Sequence, residues 1–296
     1  MTTESQNSTK QPNRREVLVK GVAGAVAVTS LTAFKNTAMA EEPTPGTTEG
    51  PYWVEEMLNR SDIRSDPSTG LQMPGLPLRL TISVSQLDET GKATPLSGAY
   101  VDIWHCNAEG LYSDEAAQNT LGQKYLRGYQ ITNAHGLVKF TTIYPGWYSG
   151  RTVHIHIRVR VYDQATDTVT YNQVTQVFFD DAITNQVYQL DPYVLRPLRD
   201  TLNAIDSIYN DDADDDGQAD GDQLLLKLSA KQTYAIASYN FYLDLNDGNG
   251  NGDDQGDIGG GGPPPGDGGT PPGGGDFPPG GGDFPPGGGN FPPGGG

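Results

Sequence analysis

Two histidines, His154 and His156, stand two residues apart in the segment Thr152-Val-His-Ile-His-Ile-Arg-Val-Arg-Val161. Polar and apolar residues alternate along it, which is the period of a half-buried β-strand, so both imidazoles point to one face. Two same-face imidazoles can chelate one metal ion without any loop having to order itself. Upstream lie Tyr112 and a Pro145-Gly-Trp-Tyr148 turn, with Arg151 three residues beyond Tyr148. Phenol oxygens, in place of carboxylates or thiols, suit a hard and highly charged ion, and ferric iron is the first choice. A zinc or copper site on the histidines is the competing metal reading. His-x-His on a strand is a weak signal by itself, and packing is the default role for any one of fifteen tyrosines. Economy favours chemistry: the chain has four histidines, and two of them share this face beside the turn.

The physical chemistry of the pairing is consistent. A free phenol has a pKa of about 10 and is a poor ligand at neutral pH. A trivalent cation favours the phenolate, as it favours the ionised form of a bound thiol or water. No Gly-x-Gly-x-x-Gly unit stands in a strand-to-helix setting, so nothing calls for a nicotinamide or a flavin.

Several further segments recur in a fixed order with these residues. They are Gly50-Pro-Tyr52, Arg60-Ser-Asp-Ile-Arg64, Gly98-Ala-Tyr-Val-Asp-Ile-Trp-His-Cys-Asn-Ala-Glu-Gly-Leu-Tyr112-Ser, Leu126-Arg-Gly128 and Thr175-Gln-Val-Phe-Phe179. Together with Pro145-Gly-Trp-Tyr148 and Arg151-x-x-His154-x-His156, the set resembles the intradiol ring-cleavage dioxygenases, which include catechol 1,2- and protocatechuate 3,4-dioxygenases. The resemblance runs from about residue 49 to about residue 195. It implies that Tyr112, Tyr148, His154 and His156 hold Fe(III), with Tyr148 the ligand that leaves and accepts a catechol proton. It implies that Arg151 steadies negative charge on the ring and that Gln176 lines the substrate site, although the stretch between His156 and Gln176 is longer here than in other members. The implied reaction puts both atoms of O2 into a catechol-type ring and cleaves it between the hydroxylated carbons, giving a cis,cis-muconate-type product. Tyr52 and Trp53 are read as pocket walls.

The elements that must position these residues read as strands. Leu78–Val84, Ala99–Cys106, Leu137–Ile143, Thr152–Val161 and Val174–Phe179 are short runs rich in Val, Ile, Phe and Tyr, separated by Gly, Asn, Asp and Pro. About 200 residues suffice for one core, and an all-β sandwich over residues 41–255, with few short helices, is the expected architecture. Asp191–Tyr209 is the best helix candidate. His105 reads as a packing residue or a support to the site, His135 as a turn residue, and Cys106 as a small buried hydrophobe.

Residues 1–40 read as a twin-arginine export signal: Asn13-Arg-Arg-Glu-Val-Leu-Val-Lys20, the apolar run 21–34, and an Ala38-Met-Ala40 cleavage site. The expected location is periplasmic or extracellular. Cys106 is the only cysteine, so no internal disulfide forms. The net charge is −18, and without residues 1–40 it becomes about −21, with 14 basic against 35 acidic side chains. Such acidity argues against nucleic acid and anionic membrane surfaces as partners, and mildly favours a neutral catechol. The expected partners are an aromatic diol and O2; homo-oligomerisation is open.

Asp212, Asp214, Asp216 and Asp220, with Gly217, have the spacing of a calcium loop over 211–222, although Gln223 stands where such a loop has Glu. Residues 244–257 echo it more faintly. A solvated acidic loop is the competing reading for both. Residues 256–296 are a Gly/Pro-rich tail, expected to be disordered, in which Phe277, Phe284 and Phe291 recur every seven residues. A secreted, calcium-stabilised β-sandwich binding or adhesion module is the alternative function. The full set of four metal donors and Arg151 argues against it.

Overall fold

The computed structural model describes residues 40–163, 165–166, 168–212 and 217–247. The segment expected to be an export signal, apart from Ala40, and the Gly/Pro-rich C-terminal segment therefore lie outside the described residues. Among the described residues, nine strands form two sheets. In the first, β1 (Pro77–Leu87) lies between β9 (Ala235–Leu243), which runs parallel to it, and β5 (Leu137–Ile143) with β2 (Ala93–Pro95), both antiparallel; β8 (Lys227–Ala230) flanks β9. The second sheet has the order β4 (Arg127–Ile131), β3 (Tyr100–Trp104), β6 (His154–Asp163) and β7 (Thr168–Phe178), all antiparallel.

The alternation of β1 explains the sandwich. Leu78, Leu80, Ile82 and Val84 are fully buried, while the residues between them are half-exposed. They pack in one core with Val101, Ile103, Ile155, Ile157, Val159 and Val177 of the second sheet. Each such side chain contributes about 1.5–3 kcal/mol by leaving water. The all-β sandwich is as expected.

Register then decides what the opposite face of the second sheet carries. Arg127, Trp104, His156 and Gln176 pair in turn across β4, β3, β6 and β7 and form one transverse row. That face is covered, so β6 departs from the half-buried strand expected of it: His154, Ile155, His156 and Ile157 are all buried. The cover is residues 44–60, which cross from the β7 edge to the β4 edge. At one end Thr47 N–H donates to the Val174 carbonyl (3.0 Å), and at the other Arg60 N–H donates to the Tyr129 carbonyl (3.1 Å). Backbone pairing along β7 removes an open edge from the sheet.

The expected helix at Asp191–Tyr209 is not formed. Those residues make two short 3₁₀ turns, Tyr193–Leu195 and Asn203–Ile205, because Pro192 and Pro197 remove donors that a continuous helix would need. The α-helix lies just before, at α1 (Asp181–Val187), where Asp180 caps Ile183 N–H. The expected strand from Val174 begins six residues earlier, at Thr168. Strands β2, β4, β8 and β9 were not foreseen. Of the calcium-loop residues, Asp214 and Asp216 lie outside the described residues, as do residues 248–257 of the second loop. Asp212 accepts from Gly217 N–H (3.1 Å), and Asp220 is buried at the start of the four-residue α2 (Asp220–Gln223).

One loop anchor yields a test. Asp66 accepts from the N–H groups of Ser68 (2.9 Å), Thr69 (3.0 Å) and Lys124 (2.5 Å), joining the 66–70 turn to the loop before β4. Burial alone would raise its carboxyl, but these donors and the Ser68 hydroxyl outweigh it and hold the pKa at about 2. Its folded value lies below the unfolded value of about 3.9. The stabilisation is therefore present at neutral pH and is lost as pH falls toward about 2. Asp66→Ala is expected to cost about 2 kcal/mol in denaturant unfolding at pH 7, with the gap to wild type closing under acid.

Candidate metal centre

His154 and His156 leave β6 on the covered face, and two loops bring the tyrosines to them. Tyr112 follows β3 in the long connection to β4. Its N–H donates to Gln118 Oε1 (2.6 Å), and Thr120 Oγ1 donates to its carbonyl (2.6 Å). Tyr148 sits on the turn between β5 and β6. The two loops meet backbone to backbone: a Cβ on Gly110, whose φ is +84°, would lie 2.2 Å from the Trp147 carbonyl oxygen, and one on Gly146 would lie 2.4 Å from that of Asn107. Only glycine permits this approach, and the approach places the two phenols together.

The polar ends converge. His154 Nε2 lies 3.3 Å from Tyr112 Oη, 3.2 Å from Tyr148 Oη and 3.2 Å from His156 Nε2. His154 Nδ1 is 2.7 Å from the Thr152 carbonyl, which can only accept, so Nδ1 carries the proton and Nε2 offers a lone pair. One in-plane lone pair cannot serve three neighbours at hydrogen-bond distance. A cation shared by all four atoms resolves the crowding, since donors about 2.0–2.2 Å from a common ion stand roughly 3 Å apart. His156 Nδ1 is buried without a hydrogen-bond partner among the described residues, which leaves its ring oriented by packing against Trp104, stacked at 4.7 Å and 9°. Among the described residues, no group of three or more His, Cys, Asp or Glu side chains is placed to hold a metal. A metal here must draw on phenol oxygen.

The metal-free electrostatics point the same way. Burial, then the Arg151 charge, lowers His154 to about 3, and burial, then neighbouring His154, takes His156 well below its ordinary value. Both are neutral at pH 7. Burial first, then the other ionisable groups of the site, raises Tyr112 well above 10, and burial likewise raises Tyr148 despite nearby Arg151. Without a cation, both phenols keep their protons.

The remaining expected residues assemble around this cluster. Tyr52 stacks on Tyr112 (4.2 Å, 21°) and meets Tyr148 edge-on at 6.0 Å. Trp53 packs on Trp104 at 4.7 Å, beneath the Arg158 guanidinium. Arg151 Nη2 donates to Gln176 Oε1 (2.5 Å), while Gln176 Nε2 donates to the Thr48 carbonyl (2.9 Å). Gln176 therefore lies beside the cluster, in register with His156. Tyr148 and Arg151 are half-buried and stand beside exposed Ser149 and Gly150, so the cluster opens there.

Three residues that sequence reasoning passed over support the site. Asp206, fully buried, accepts from Arg151 Nε (2.9 Å) and Thr152 N–H (2.7 Å). Arg127, buried on β4, donates to the Tyr52 carbonyl (2.7 Å) and the Ser113 carbonyl (2.7 Å), which fixes the Tyr52–Tyr112 stack from behind. Trp104 supports His156. Arg127 stood in the Leu-Arg-Gly segment already singled out; Asp206 had no local signal. His105 packs away from the cluster, against the Cys106 carbonyl (2.8 Å) and Thr142 Oγ1 (2.7 Å). Cys106 is buried and free, its thiol pushed up to about 12 by burial.

Comparisons with known proteins bear on residues 48–219, which match the family model described as Dioxygenase and include every residue of the cluster. Catechol 1,2-dioxygenase 1 of Acinetobacter lwoffii is 34% identical over 113 residues, covering 36% of this chain and 33% of that protein. Chlorocatechol 1,2-dioxygenase of Pseudomonas putida is 25% identical over 130 residues, covering 38% and 46%. The chain thus spans less than half the length of either curated relative. Among solved structures, the intradiol ring-cleavage dioxygenase from Tetranychus urticae superposes with a TM-score of 0.54 at 26% identity, covering 69% of this chain and 95% of that one. The family model takes in more than half of the chain, the relatives are named as catechol 1,2-dioxygenases or intradiol ring-cleavage dioxygenases, and the sandwich is shared; the chain belongs to the intradiol ring-cleaving dioxygenase family.

Proposed function

We infer that this chain is an Fe(III)-dependent intradiol dioxygenase acting on a catechol-type diol, with Tyr112, Tyr148, His154 and His156 as the metal donors. The observation that carries the reading is the convergence of two phenol oxygens and two imidazole nitrogens on His154 Nε2, within 3.3 Å. When bound, ferric iron supplies a Lewis-acidic, electron-accepting centre for a chelated diol. The chain's own residues do the rest. Tyr148, half-buried at the opening, takes the proton of a diol hydroxyl as it gives way to the substrate. Arg151, held between Asp206 and Gln176, presents its remaining guanidinium edge to negative charge on the ring. Tyr52 walls the site over Tyr112. The product is a cis,cis-muconate-type diacid formed with both atoms of O2.

The test is the visible spectrum of iron-loaded protein, first with catechol under nitrogen and then after admission of air. Phenolate-to-Fe(III) absorption that shifts with catechol and returns with muconate-like ultraviolet absorbance supports the reading. A protein that stays colourless after iron loading excludes it, and with it falls the distinction from a zinc site or a non-catalytic binding module.

Loading itself has a predicted signature. Both histidines are neutral and both phenols protonated in the metal-free site. Ferric binding as two phenolates should therefore release about two protons per site, so the apparent log affinity should rise by about two per pH unit near neutrality. Calorimetry in buffers of different ionisation enthalpy counts those protons. The export reading of residues 1–40 stands with this function as a proposal, resting on the Arg14-Arg15 motif; cleavage after Ala40 in a secreting host checks it.

A further inference from the structure

Residues 194–205 form a strap with an inverted surface. Val194, Leu195, Leu198, Leu202 and Ile205 are all exposed, with Leu195, Leu198 and Ile205 at 81, 89 and 68%. Two arginines and an asparagine of the same strap turn inward, while the Asp200 carboxylate stays exposed. Arg196 donates to the Trp147 carbonyl (2.6 Å) and lies 4.7 Å over the Trp147 ring. Arg199 pairs with Asp181 (2.5 Å), and Asn203 donates to the Phe179 carbonyl (3.0 Å). Single exposed leucines need no explanation, but five exposed apolar side chains within one twelve-residue segment beside a site call for one.

The strap borders the opening of the metal centre. The Asp200 carboxylate accepts from Gly150 N–H (3.3 Å), and Gly150 stands two residues after Tyr148. Leu198 and Leu202 flank Asp200 by two residues on either side, so their Cα atoms lie within about 7 Å of it. At the strap's end, Asp206 grips Arg151 itself. The same segment therefore fixes the charged edge of the site and offers an apolar shelf next to it.

We propose that this strap is the outer wall of the substrate site and takes the apolar substituent of a ring-substituted catechol, an alkyl or aryl chain, while the diol is held at the tyrosine–histidine cluster. The proposal rests on the catechol reading above. Its choice of occupant comes from charge: a net charge of −18 repels a second copy or an anionic substituent at long range. Both strap cations are turned inward, so the strap offers neither of them to a carboxylate. A neutral apolar group meets no such opposition.

The experiment is equilibrium binding of 4-alkylcatechols, from methyl to hexyl, to the iron-loaded full chain under nitrogen, read by the visible shift. Wild type is expected to bind about two- to fourfold tighter per added methylene until the shelf is covered. Leu195→Ser with Leu198→Ser should abolish that slope while leaving the affinity for unsubstituted catechol, and its turnover in air, unchanged. A flat series in wild type that still binds and cleaves catechol overturns the proposal and leaves the dioxygenase reading standing; failure to bind catechol at all removes that reading itself. A flat series together with a dimer that the double variant dissociates in sedimentation overturns it in favour of a second copy. A slope that emerges only after removal of residues 256–296 overturns it for the native chain, with the tail as occupant.

Discussion

His154→Ala protein is expected to lose its iron. The Nε2 atom of this residue lies within 3.3 Å of Tyr112 Oη, Tyr148 Oη and His156 Nε2 alike. The Thr152 carbonyl fixes its tautomer, so the ring arrives with a lone pair already aimed inward. Loss of a mere supporting partner behind a ligand costs roughly 10- to 100-fold in metal affinity, and loss of the donor itself should exceed that. Iron per chain after dialysis against graded chelator measures the effect. The same variant should show no metal-dependent rise in melting temperature, because that rise follows the binding equilibrium. His105→Ala is the matched control. It removes another fully buried imidazole, one that bonds Cys106 and Thr142, and should lower stability while keeping the iron. Stoichiometric iron in His154→Ala would refute the ligand assignment.

The cluster was legible in the sequence because its parts are local. Period-two alternation puts His154 and His156 on one face whatever the rest of the fold does. Tyr148 lies on the turn that feeds that strand, and only Tyr112 has to come from farther away. What the alternation hid was the cover. The strand looks half-buried by composition, with Arg158 and Arg160 on the same face as the histidines. In the fold, residues 44–60 cross that face and bring Glu49 to Arg158 (3.0 Å) and Glu55 to Arg160 (2.7 Å), which also pairs with Asp102 of β3 (2.8 Å). Polar residues in a strand signal solvent only when no partner of opposite charge is brought to them, and pairing at this sequence distance leaves no local pattern. The missed elements have the same origin. Strand β9 lies far along the chain from its partner β1, and the 191–209 segment carried apolar residues at helical spacing that serve instead as an exposed shelf.

Asp206 is where the hidden part of the design should weigh most on activity. Its carboxylate is buried, and burial alone would raise its pKa. The Arg151 charge and the N–H groups of Thr152 and Tyr209 outweigh that and hold it below the usual carboxylate range. It is therefore ionised at neutral pH, and it grips Arg151 from one side while Gln176 grips the other. Two anchors leave the guanidinium little freedom, and displacement of a positioned group by about 1 Å can cost 100-fold in rate. Asp206→Ala would also strand a buried cation, at about 3–5 kcal/mol, and confounds folding with catalysis. Asp206→Asn is the cleaner change: it keeps shape and one acceptor oxygen but sets an amide N–H against the donors of Arg151 or the backbone. The expected result is full iron content, an unaltered visible band in the resting protein, catechol binding within a few-fold of wild type, and kcat lower by about 100-fold. Gln176→Ala, which frees the other side of Arg151, should reproduce that pattern more weakly. If Asp206→Asn keeps wild-type kcat, the ion pair holds the strap to the sheet and has no part in positioning Arg151. If iron is lost together with activity, Asp206 acts through the His154 backbone via Thr152, and the arginine is a bystander.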